Sequence, residues 1–114
     1  MSLPRISRQW FVHKLSTNFR AATQIKDVEL APPGKYDMIV KNLSVGINAS
    51  DVNFTAGAYF PGVEPPFNVG FEAVGTVVAA GEKAMAKEGD HVVYMENGAF
   101  CDYQTVRKGM ARIP

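Results

Sequence analysis

Apolar and polar positions alternate over short stretches of this chain, and Gly and Pro interrupt them at close intervals, a pattern of strands rather than helices. Gln9-Trp-Phe leads into a first strand over residues 12–15, and Thr17-Asn-Phe turns the chain into a second over 21–30. Pro32-Pro33-Gly34 stops that strand, because proline cannot donate to a ladder. Residues 36–47 carry the longest strand signal, but Met38, Val40, Leu43 and Val45 do not hold one period, which predicts a bulge near Asn42. Asn48-Ala-Ser-Asp51 offers side chains that accept from unpaired helix N–H groups, so a short helix runs to about Thr55 and Gly57 ends it. A loop over 59–69 contains Pro61, Pro65 and Pro66. A buried strand over 72–80 closes at Gly81, and a polar connection over 84–88 and a Gly89-Asp90 turn enter a strand over 91–95. Asn97-Gly98 is a hairpin-type dipeptide before a last strand over 99–106. The expected fold is mainly β: a small, partly open β-barrel with one or two short helices.

Composition narrows the function classes. A chain of 114 residues is one domain, long enough for a real core. The net charge of +1 supplies no field for nucleic acid or an acidic membrane, and no apolar run of about 20 residues is present to span a bilayer. Cys101, the one cysteine, cannot form an internal disulfide, which fits a reducing compartment. Residues 1–8 are basic but too short and polar for a secretory signal, and read as a flexible tail, a cloning scar or a transit remnant.

Several residues invite chemistry. His13 and His91 lie in strand patterns with no partner at ligand spacing, so neither predicts a metal site. Cys101, inside a strand, reads as a small buried residue. Asp51 reads as a helix-start residue, and Glu72 as a group that hydrogen-bonds backbone. Trp10, Phe11 and Phe19 suit barrel packing, Phe54 and Phe71 core or cleft lining, and the 83–88 charges a solvated turn. Two side chains stand out. Tyr59 either packs a proline-rich loop or presents an acidic hydroxyl. Asn48 either caps the helix or presents an amide able to donate to a carbonyl oxygen.

The blocks Gly46-Ile-Asn-Ala-Ser-Asp51, Gly57-Ala-Tyr59, Gly70-Phe-Glu72, Val74-Gly75 through Gly81, Gly89-Asp90-His-Val-Val and Gly98-Ala-Phe-Cys-Asp-Tyr103 follow one another in a telling order. Over about residues 9–114 this resembles the N-terminal, GroES-like domain of the medium-chain dehydrogenase/reductases, closest to their zinc-free quinone oxidoreductase and enoyl reductase branch. In zinc-dependent relatives a Cys falls where Asn48 stands, and a Gly-His-Glu where Gly70-Phe71-Glu72 stands, so the resemblance implies no zinc. It implies Tyr59 as the catalytic tyrosine, and Asn48 as a catalytic residue on the nicotinamide side of the cleft. The implied reaction adds hydride from NADPH to a double bond conjugated to a carbonyl. A quinone, 2-alkenal, enoyl thioester or 15-keto prostaglandin qualifies as substrate. A homodimer is implied for the full-length enzyme, in mitochondria, peroxisomes or cytoplasm.

No Gly-x-Gly-x-x-Gly turn occurs in the chain, so the Rossmann-type cofactor domain is expected to lie outside it, and this piece is expected to be inactive alone. An exposed apolar patch or unpaired strand edge, able to drive dimerisation, follows from that expectation. The alternative reading is a non-catalytic GroES-like binding or co-chaperone module. A zinc-dependent alcohol dehydrogenase domain is weaker still.

Overall fold

A computed structural model of the chain describes residues 4–57, 62 and 64–114, the side chain of Phe54 excepted. In chain order the elements are β1 (Ile6–Val12), α1 (Phe19–Ala22), β2 (Thr23–Glu29), β3 (Met38–Val45), α2 (Ala49–Thr55), β4 (Phe67–Asn68), β5 (Glu72–Ala80), β6 (His91–Met95), β7 (Tyr103–Val106) and β8 (Ala111–Arg112). The strands form two antiparallel sheets, ordered β2-β1-β4 and β7-β3-β5-β6-β8.

Backbone bonds lace β1 to the segment before β7. Trp10 N–H donates to Phe100 O at 3.0 Å, and Asp102 N–H to Arg8 O at 3.0 Å. Buried Ser7 Oγ accepts from Tyr103 N–H at 3.0 Å. The two sheets thereby curl into the partly open barrel that the strand pattern predicts.

β5, β6 and α2 occupy the residues expected of them, and Gly57 ends the α2 turn at φ +80°. The predicted bulge is present as a register shift between Asn42 and Ser44, with a second between Ile39 and Val40. Elsewhere the structure corrects the sequence reading. The first strand is Ile6–Val12 rather than 12–15, so Ile6, Ser7 and Arg8 are paired with β2. The start expected for the second strand is instead a single helical turn. Asn18 Oδ1 accepts from Ala21 N–H at 3.2 Å to open it, and Thr23 Oγ1 donates to Phe19 O at 2.8 Å at its end.

The proline loop expected over 59–69 contains a short strand, β4, paired with Phe11 and Val12, and its Pro65–Pro66 peptide is cis. Asn97-Gly98 does turn the chain, with Gly98 at φ +92°, yet it closes no hairpin. β6 pairs with β5 and β8, whereas β7 pairs with β3. Residues 99–102 cross between the sheets and give their backbone bonds to Trp10, Asn42 and Arg8, so regular strand begins only at Tyr103.

Met38, Val40, Ala73, Val77, Val92, Tyr94 and Val106 form the main core between the strands of the larger sheet. A second cluster joins Val12, Val69 and Phe100 to Trp10, Phe19 and Phe67. Trp10 and Phe19 therefore pack as expected, their ring centroids 5.9 Å apart. Phe11 lies half-buried, with the Lys26 ammonium 5.9 Å from its ring centre. At Gly75 the β5 backbone comes so close to β3 that a Cβ would meet the Lys41 carbonyl oxygen.

Candidate active site

The end of β3 and the start of β5 lie side by side because Gly46 N–H donates to Glu72 O at 3.0 Å. Glu72 is half-buried, and its side chain folds back over that junction. A Cβ at Gly46 would fall on the Glu72 carboxyl group, so the glycine gives this side chain room to lie there. Two residues on, the exposed Asn48 points its amide nitrogen at Glu72 Oε1, 3.5 Å away. Glu72 thus reaches a side chain rather than the backbone group expected for it.

Asp51 acts on Asn48 from the opposite direction. Its Oδ2 accepts from Asn48 N–H at 2.7 Å, and its own N–H donates to Asn48 O at 3.0 Å. This is the back-bond of a helix-start box, in which an acid three positions along satisfies the N–H of the first residue. Asp51 is only 1% exposed, and its Oδ1 has no hydrogen-bond partner among the described residues. Burial pushes its carboxyl above the ordinary value, the Asn48 N–H pulls it back, and the nearby Glu72 charge pushes it up again.

Asn48, Asp51 and Glu72 therefore meet at one place, and Phe71 precedes Glu72 there. Tyr59, the other candidate, lies outside the described residues, as does the Phe54 side chain. Asn48 and Phe71, at the positions where the resemblance puts the thiolate and imidazole of zinc-dependent relatives, carry a carboxamide and a phenyl ring, neither a usual zinc ligand. No three His, Cys, Asp or Glu side chains gather to hold a metal among the described residues. His13, just past the end of β1, and His91, the first residue of β6, are both exposed.

A cavity of about 790 Å³ opens beside the site, lined by Val45, Gly46, Glu72, Val74, Met95 and Met110 among others. Glu72 is a polar corner of this largely apolar space. On the other side, Ile47 joins Trp10, Phe19 and Phe100 around a smaller cleft of about 390 Å³, where Arg8 Nε and Asp102 Oδ2 pair at 2.9 Å. Val45 lines both hollows, and Glu72, which Asn48 faces, lines the larger.

The polar network around Cys101 is a feature the sequence reading missed. Asn42, at the bulge, donates to Ala99 O and Cys101 O, both at 2.9 Å, and accepts from Tyr94 Oη at 2.7 Å. Burial pushes the Cys101 thiol up to about 12, which leaves it protonated near neutral pH. The same burial raises the Tyr94 phenol. The bulge signal at Asn42 was the only sequence clue to this arrangement. No helix of the described residues is long and apolar enough to cross a membrane.

Comparison with known proteins places this geometry in a family. The chain matches the alcohol dehydrogenase GroES-like domain over residues 34–112. It is 42% identical over 113 residues to the prostaglandin reductase-3 of Mus musculus, covering 96% of this chain and 30% of that protein. To a mitochondrial enoyl-acyl-carrier-protein reductase of Caenorhabditis elegans it is 41% identical over 70 residues, covering 60% of this chain and 20% of that one. Among solved structures, the Escherichia coli quinone oxidoreductase complexed with NADPH superposes with a TM-score of 0.82 at 28% identity, over 93% of this chain and 32% of that chain. The chain thus spans about 30% of the length of the prostaglandin reductase it matches. It belongs to the alcohol dehydrogenase GroES-like domain family, within the medium-chain dehydrogenase/reductase oxidoreductases.

Proposed function

We propose that the chain is the substrate-side domain of an NADPH-dependent, zinc-independent reductase acting on a double bond conjugated to a carbonyl. The observation that carries this reading is the pair of residues at the would-be metal positions, Asn48 and Phe71, in a chain so similar to a prostaglandin reductase. The relatives with quinone and enoyl reductase names support the same substrate class, small enones and quinones.

NADPH, held mainly by a cofactor domain outside these residues, supplies the hydride. This chain's part is to orient the acceptor and carry the charge that develops on its oxygen. Without a Lewis acid, that oxygen needs preorganised donors, and the Asn48 amide and the Tyr59 hydroxyl are the groups proposed for it. Tyr59 or a water then delivers a proton to the α-carbon. Asn48 is exposed in the structure, as a residue meeting a substrate or the nicotinamide must be. The adjoining apolar cavity offers room for a hydrocarbon tail.

The test is made in the reductase that contains this chain. Asn48→Ala and Tyr59→Phe should each lower kcat by about 100-fold, the usual effect of losing one oxyanion donor. Unchanged turnover in both variants removes these assignments, and stoichiometric zinc in the purified enzyme removes the zinc-independent chemistry.

A further inference from the structure

We infer that Glu72 is a positioning residue for Asn48: seated on the backbone of Gly46, its carboxylate takes an N–H of the Asn48 carboxamide and sets which end of that amide faces outward. The inference rests on the reading of Asn48 as a substrate or nicotinamide contact, and gives Glu72 its part in that same site.

A primary carboxamide has two nearly isosteric ends of opposite character, an acceptor oxygen and a donor nitrogen. An exposed Asn left alone samples both orientations, and half of its time would offer the wrong one to a substrate oxygen. A carboxylate on one side breaks that symmetry, because only the nitrogen end can donate to it. Glu72 Oε1 lies 3.5 Å from Asn48 Nδ2, so Oδ1 is turned away from the carboxylate, and the nitrogen keeps one further N–H to donate elsewhere.

The Glu72 main chain is held by Gly46 N–H, which donates to its carbonyl oxygen at 3.0 Å, and the lack of a Cβ at 46 leaves its carboxyl group room to lie over that backbone. Asp51 meanwhile holds the Asn48 backbone N–H at 2.7 Å, so the main chain and the side chain of Asn48 are restrained by different carboxylates. The Asn48–Glu72 contact is long and lies at the surface, where such contacts contribute little stability. Glu72→Gln should therefore fold, so that its effects report on the amide rather than on the stability of the chain.

Two measurements separate this inference from the functional reading beneath it. On the ¹⁵N-labelled chain, the Asn48 Nδ2 side-chain resonances should move as Glu72 titrates, in an Asp51→Asn background that removes the other carboxylate. That movement should vanish in Glu72→Gln. Resonances that ignore Glu72 in both comparisons overturn the inference, whatever Asn48 does in catalysis. In the complete reductase, Glu72→Gln should lower kcat about twofold, the loss expected when the amide spends half of its time reversed, with no further loss in an Asn48→Ala background. Additive losses would mean that Glu72 acts independently of Asn48 and would equally overturn it. If Asn48→Ala leaves turnover intact, the functional reading fails, and the resonances still decide the role of Glu72.

Discussion

Single side chains in this molecule are set by burial more than by charge. The hydroxyl of buried Tyr94 donates to Oδ1 of half-buried Asn42 at 2.7 Å. Tyr94→Phe should therefore cost about 1–3 kcal/mol in a urea unfolding experiment, the penalty of leaving that acceptor without its donor. The Cys101 thiol, pushed up to about 12, should resist iodoacetamide at pH 8 in the folded chain and react once the chain is unfolded, as read by mass spectrometry.

Asp51 and Asp102 respond to pH in opposite directions. Burial holds the Asp51 carboxyl above its ordinary 3.8, so its contribution favours the fold at low pH and is lost as pH rises through the raised value. The Arg8 guanidinium holds Asp102 below 3.8, so that pair supports the fold above the ordinary value and fails as pH falls through the lowered one. Comparing Asp51→Asn with the parent chain isolates the first effect. The difference in urea midpoint should shift toward the parent as pH falls from about 7 to about 4, and a pH-independent difference would contradict the burial argument.

At the scale of elements, Gly75 and the Glu96–Arg107 pair set how strands meet. Gly75→Ala would press a methyl group onto the Lys41 carbonyl across the β3–β5 ladder. It should cost at least the ~1–3 kcal/mol typical of overpacking, read as a lowered denaturation midpoint. The buried Glu96 carboxylate takes the Arg107 guanidinium at 2.7 Å and its backbone N–H at 3.3 Å, fixing the turn between β7 and β8. Arg107→Ala should speed hydrogen exchange at Met95 N–H, which donates to Met110 O, before it does so in β3 or β5.

Strands whose own residues specify them were legible in the sequence. The apolar run of β5 and the Gly-Asp turn before β6 gave both elements their exact bounds, and the polar entry at Asn48 gave α2. β4 and β8, two residues each, owe their existence to a neighbouring strand and have no period to read. The Asn97-Gly98 dipeptide failed as a hairpin signal for the same reason. A turn dipeptide specifies local dihedral angles, whereas the partner of the next strand depends on the whole sheet. The site shows the same division. Asn48 and Asp51 were visible through helix-start chemistry, while Glu72's contact with Asn48 depends on how β3 and β5 align.

For the whole molecule, the open side of the barrel is the dominant fact. Among the described residues β8 pairs with β6 alone, and the neighbouring surface carries exposed Val74, Met95 and Ile113 beside the 790 Å³ cavity. Apolar groups in that arrangement favour contact with another surface over contact with water. The expected outcome is self-association of the chain that rises with concentration in sedimentation experiments and weakens in Met95→Lys. A strictly monomeric chain would show that this side tolerates solvent.

The close seat of Glu72 on Gly46 makes the neighbouring amide sensitive to a residue that never touches it. The space a Cβ at 46 would take is filled by the side chain from position 72. A methyl group there would turn the flexible Glu72 carboxylate outward, away from the amide two residues on, so Gly46→Ala should release that amide while the fold is kept.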